Sequence, residues 1–177
     1  TYVDKTKFVY KLAHGTQNNF LSRPRRFGKS LLVSTLQAYF EGRKELFKGL
    51  AIEKLETEWT KYPVIHLDLS RGKYYSVENL HGVLNMVLGI CEEPYHIVPA
   101  NLRDYSARLN TIIRTAVKQT GQKAVILIDE YDAPMLDSIT DENLRKQIRN
   151  IMRDFFSPLK ANEGIERFVF LTGITKF

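Results

Sequence analysis

Two short stretches of this chain carry residues whose types and spacing could do phosphate chemistry. Arg23-Pro24-Arg25-Arg26-Phe27-Gly28-Lys29-Ser30 gathers four cations, a glycine and a hydroxyl within eight residues. Far downstream, Ala124-Val125-Ile126-Leu127-Ile128 runs apolar into Asp129-Glu130. A tight strand-to-helix turn makes backbone N–H groups converge on phosphate oxygens, and the helix start favours negative charge. In such a turn Gly28 admits the phosphates without a side chain in the way. Lys29 places a point charge between the β- and γ-phosphates, and Ser30 offers a hydroxyl to magnesium. The candidate nucleotide-binding set is Arg23, Pro24, Arg25, Arg26, Phe27, Gly28, Lys29, Ser30 and Leu31. The usual phosphate loop has a glycine where this chain has Arg23. Pro24 still stiffens the turn by fixing one φ near −65°.

The acidic stretch supplies the complementary chemistry. Asp129 is the candidate magnesium ligand, through a water and opposite Ser30. Glu130 is the candidate base that orients and deprotonates an attacking water. Neighbouring side chains on a strand point to opposite faces, so the pair must lie where the strand ends and the backbone turns. Asp132 is a further carboxylate to which the sequence assigns no role. Thr172, near the chain's end, could sense the γ-phosphate from beside the acidic strand, or Thr172-Gly173 could only turn the chain out of its strand. The candidate catalytic set is therefore Glu130, Lys29 and Thr172, and the candidate metal set Ser30 and Asp129.

The elements that must position these residues alternate between helix and strand. A helix is expected near Thr6 to His14, with Phe8, Val9, Leu12 and Ala13 on one face and Gly15 as its stop. Phe20 to Ser22 is a short strand feeding the loop. A helix over Ser30 to Glu41 buries Leu31, Leu32, Leu36 and Phe40 and ends at Gly42. Glu45 to Trp59 connects it to a strand at Val64 to Leu69, and a helix over Val77 to Ile90 follows. Leu102, Tyr105, Leu109, Ile112 or Ile113, and Ala116 recur at helical steps, between an amino-terminal cap of Asn101 with Asp104 and a carboxy-terminal one at Gly121. Ala124 to Asp129 has the unbroken apolar character of a strand buried on both faces of a parallel sheet. A helix over Glu142 to Phe156 should stop before Pro158, and Arg167 to Thr172 is the last strand. Alternation of this kind predicts an α/β fold with parallel strands.

Composition narrows the function classes. The 177 residues suit one domain, and 44% apolar with 26% charged residues is ordinary for a globular protein. Net charge is +6, but four of the positive charges sit in the loop, where a magnesium triphosphate would neutralise them. A nucleic-acid partner is compatible with the charge and not required by it. Cys91 stands alone, which excludes an internal disulfide and suits a reducing, cytoplasmic setting. No apolar run approaches the ~20 residues needed to cross a bilayer. His14, His66, His81 and His96 have no metal-ligand spacing with Cys91. His66 and Asp68 share a face of a strand expected to lie away from the nucleotide. Beginning at Thr1 and stopping just past a strand, the chain reads as a piece of a longer protein.

Tyr2-Val3-Asp4-Lys5-Thr6, Phe20-Leu21-Ser22 with the basic loop, Leu127-Ile128-Asp129-Glu130-Tyr131-Asp132 and Leu171-Thr172-Gly173 together resemble the AAA-ATPase-like domain family of bacterial proteins. The resemblance covers residues 1–177 and includes arginine at position 23. It implies a P-loop NTPase three-layer sandwich, truncated after the sensor-type strand, with an extra strand between the loop strand and the acidic strand. It also implies ATP as ligand, Tyr2 to Thr6 beside the base, and in longer members a following nuclease-like domain of the PD-(D/E)XK type. Capping of a helix by Asp4 or Thr6 explains those two residues equally well. The expectation is an ATP-binding and Mg-dependent ATP-hydrolysing domain. The alternative is a nucleotide-binding switch or scaffold that regulates an attached nuclease-like domain with little hydrolysis of its own. No finger arginine or lid is recognisable. Hydrolysis by the isolated chain should be slow unless a neighbour in a homo-oligomer supplies an arginine, worth ~10³–10⁵ in rate.

Overall fold

The computed structural model describes residues 4–22 and 29–174, except for the side chains of Lys29 and Ser30. Four strands, β1 (Asn18–Ser22), β2 (Val64–Asp68), β3 (Ala124–Asp129) and β4 (Glu166–Gly173), form one parallel sheet in the order β1-β4-β3-β2. The last strand in sequence thus lies between the loop strand and the acidic strand, as the family resemblance implies. Helices cover both faces, which gives the expected three layers.

Strand β3 explains why. All six of its residues are buried, and their alternation feeds two cores. Ala124, Ile126 and Ile128 point into one, with β2 residues Ile65 and Leu67 and with helices α4 (Val77–Glu92), α5 (Tyr105–Thr120) and α7 (Glu142–Ala161). Val125 and Leu127 point into the other, beside Phe168 and Phe170 of β4 and helices α1 (Thr6–Ala13), α2 (Lys29–Phe40) and α3 (Ala51–Leu55). A strand that is apolar on both faces is stable only in the middle of such a sandwich.

Local chemistry moves several element boundaries from their expected places. Helix α5 starts at Tyr105, because Asp104 accepts the Ala107 N–H at 3.2 Å, while Asn101 is occupied with the Arg103 N–H. Leu102 therefore precedes the helix and is exposed. Helix α7 does not stop before Pro158 but runs through it. Proline lacks the N–H that would bond the Asp154 carbonyl, and the Ser157 hydroxyl donates to that carbonyl instead, at 2.7 Å. Phe8 and Leu31, expected inside, are exposed, and α2 buries Val33, Leu36 and Phe40. Thr6, not Phe8, completes the inner face of α1, because its hydroxyl accepts the Ile52 N–H at the start of α3.

The far end of the sheet holds an uncompensated acid. Glu166 opens β4, and both its carboxylate oxygens are buried without a hydrogen-bond partner among the described residues. Burial, with the Glu163 charge adding to it, pushes its carboxyl up to about 7 from 4.5. The native state therefore keeps a proton that the unfolded chain releases, and stability falls as pH rises from about 4.5 to about 7. Glu166→Gln should match the wild type at pH 5 and exceed it at pH 8 by on the order of 2–3 kcal/mol. Urea denaturation at the two pH values measures this, and equal gains at both would show that the carboxyl does not titrate as described.

Candidate functional site

Because all four strands run in parallel, their carboxyl ends line one edge of the sheet, where open α/β folds bind ligands. Ser22 ends β1 in register with Gly173 of β4, and Asp129 ends β3 in register with Asp68 of β2. The carboxyl end of β1 therefore stands one strand away from the acidic end of β3. Lys29 and Ser30 open α2, with Leu31 exposed in its first turn. Arg23, Pro24, Arg25, Arg26, Phe27 and Gly28, the side chains of Lys29 and Ser30, Tyr2, Val3, Thr175 and Lys176 lie outside the described residues.

At the acidic end, one side chain organises the turn. Thr172 is fully buried; its hydroxyl donates to Asp129 Oδ1 at 2.7 Å and accepts the Glu130 N–H at 3.0 Å. Its carbonyl accepts the Tyr131 N–H at 2.9 Å. Thr172 thus lies inside β4 and is hydrogen-bonded to the metal-ligand candidate. Glu130 takes a φ of 51°, in the left-handed region, and so leaves the strand alternation at the residue after Asp129. That conformation costs a non-glycine residue roughly 1 kcal/mol, and the flanking hydrogen bonds hold it. The turn then enters the short helix α6 (Ala133–Asp137), with Pro134 in its first turn.

Asp132, for which the sequence gives no role, is buried and accepts the Ile174 N–H at 2.9 Å. Gly173 is needed for space: a Cβ there would come within 2.8 Å of both Asp132 Oδ1 and the Tyr131 ring. That ring packs edge-to-face on Phe20 of β1, at 5.6 Å between centroids. Sequence reasoning placed Ser22 at the end of the loop strand and Gly173 at a turn, but assigned neither a contact across the sheet edge, since their partners lie far away in sequence.

A family profile described as Predicted AAA-ATPase matches residues 1–177. The chain belongs to this family. It is also 37% identical over 177 residues to an uncharacterized protein in the vnfD 5'region of Azotobacter chroococcum mcd 1, an alignment that covers 99% of the chain. The chain spans only 34% of that relative's length.

A hard divalent cation at this edge would need oxygen donors. Among the described residues Asp129 offers one carboxylate, with its Oδ1 bound to the Thr172 hydroxyl. Among the described residues no cluster of three or more His, Cys, Asp or Glu could hold a metal. Magnesium does not require one, since it usually takes one or two carboxylates with water and phosphate oxygens. Asp68, although in register with Asp129, is held in its own turn. Burial would raise its carboxyl, but hydrogen bonds from Ser70 and Arg71 outweigh that and hold it below the usual range.

Neither Asp4 nor Thr6 is the N-cap of α1, a place that Lys5 takes without a side-chain bond; their oxygens instead accept at Thr6 and at the start of α3. Asp4 Oδ1 accepts from the Thr6 hydroxyl and N–H at 2.6 and 2.9 Å, and Oδ2 accepts the Ala51 N–H at 2.7 Å. These bonds, the Thr6 hydroxyl's first, hold the Asp4 carboxyl below its ordinary value. Beside Thr6 a groove of about 480 Å³ runs along α2 past Ser34, Thr35 and Ala38. No helix among the described residues is long and apolar enough to cross a membrane.

Proposed function

We propose that this chain binds ATP with magnesium and hydrolyses it, and that residues 1–177 act as one nucleotide-binding domain. The observation that carries the reading is the Thr172-organised turn: a buried aspartate and an adjacent carboxylate, fixed at the carboxyl edge one strand away from the β1–α2 connection. In this reading residues 23–31 wrap the phosphates, Lys29 neutralises their charge, and Ser30 and Asp129 hold magnesium. Glu130 takes a proton from the attacking water, and Thr172 fixes the Asp129 carboxylate. The ion would polarise the γ-phosphate and offset the charge that builds on the leaving oxygen.

Calorimetric titration with MgATP tests the reading. The wild type should bind, and Lys29→Ala should lose ~10–100-fold in affinity, as expected for removing a charge-assisted contact worth ~1.5–3 kcal/mol. Equal affinity in the two proteins would remove the loop from the site.

A further inference from the structure

The middle strand β4 does more than separate the loop strand from the acidic strand. Its last residues touch both sides of the site. Thr172 serves Asp129 and Glu130, as described, and the next hydrogen-bonding residue, Ile174, is held at both its backbone groups. Its N–H donates to Asp132 Oδ2 at 2.9 Å, and its carbonyl accepts the Ser22 hydroxyl at 2.8 Å. Ser22 is the final residue of β1, directly before Arg23. A continuous path of two hydrogen bonds therefore runs from the acidic turn, through one residue, to the entrance of the basic loop.

We propose that Asp132 is a positioning residue that fixes the phosphate loop relative to the acidic turn, by way of Ile174 and Ser22. The inference rests on the nucleotide-binding reading above and assigns Asp132 a part in it. Three features support the assignment. Asp132 is 1% exposed, so its carboxylate depends on protein groups for its hydrogen bonds, and the Ile174 N–H is one of them. Its carboxylate also lies close against Gly173, where no side chain fits, so turn and strand end are held at one spacing. Gly173 in turn is the register partner of Ser22. Removing Oδ2 would take the acceptor from the half-buried Ile174 N–H and free the residues after the strand end to shift. In the nucleotide-binding reading such a shift would change the spacing between the end of β1 and Asp129.

The test compares Asp132→Ala, Asp132→Asn, Ser22→Ala and the double variant Ser22→Ala/Asp132→Ala. The readouts are MgATP affinity by calorimetry and backbone amide exchange by mass spectrometry without nucleotide. Asp132→Ala should bind MgATP at least ~10-fold more weakly. It should also exchange faster both at Ile174 and in the peptide that follows Ser22. Asparagine retains an acceptor oxygen and should recover most of both effects. Ser22→Ala should weaken binding, and the double variant should be little worse than Asp132→Ala, because both break one path. Unchanged exchange after Ser22 in folded Asp132→Ala, or additive losses in the double variant, would overturn the positioning role. If Lys29→Ala also binds as the wild type does, the nucleotide reading fails, and the exchange data still decide whether Asp132 holds the loop entrance.

Discussion

Glu130→Gln should bind MgATP as tightly as the wild type and hydrolyse it ~10²–10⁴-fold more slowly, the range expected for removing a general base. The substitution suits the question because two hydrogen bonds that hold the turn are made by the backbone of residue 130. Its N–H donates to the Thr172 hydroxyl, and its carbonyl accepts the Ala133 N–H. Glutamine keeps both groups, has nearly the same shape, and meets the same left-handed φ. What disappears is the capacity of the carboxylate to take a proton. Thr172→Val removes a different function, since the hydroxyl that orients Asp129 is lost while the strand is kept. Single-turnover hydrolysis measured beside calorimetric affinity separates the two roles. Full turnover by Glu130→Gln would exclude Glu130 as the base and direct attention to other carboxylates of the turn.

The parts of this site that the sequence revealed are those specified by short local patterns. Ala124 to Ile128 could be placed inside a parallel sheet because five consecutive apolar residues need burial on both faces, and the structure buries every residue of β3. The sequence also places the end of the strand at Asp129, and the structure ends β3 there with Glu130 at a positive φ. The partners of those residues were not legible, because they are separated by long stretches of chain. Thr172 is 43 residues from Asp129 and Ser22 is 152 from Ile174, and only the strand order brings each pair together. Local rules also misplaced Pro158, because a proline signals a helix end unless a neighbouring hydroxyl bonds the carbonyl that the proline leaves unpaired. Leu31 failed for another reason. The apolar stripe of α2 is wider than the strip of helix that the sheet covers, and the first turn lies at the sheet's edge.

Arg108→Met should destabilise the fold by about 3–5 kcal/mol, through a pair that no sequence pattern identified. Arg108 and Glu92 are both almost completely buried between α5 and α4, and they meet in a two-point contact of 3.1 and 2.6 Å. The guanidinium also donates to Asn85 Oδ1 at 2.8 Å and to the Leu102 carbonyl at 2.9 Å, so its position is fixed on several sides. The expected loss comes less from the attraction removed than from the Glu92 charge left in an apolar layer without its partner. Glu92→Leu combined with Arg108→Met should therefore recover much of the stability, because no charge remains to be desolvated. Urea denaturation of both single variants and the double variant measures the coupling, and additive losses would show that the two charges do not stabilise one another. The α4–α5 layer lies on the face of the sheet opposite α2. Folded Arg108→Met should therefore keep its nucleotide affinity, which separates loss of stability from loss of the site.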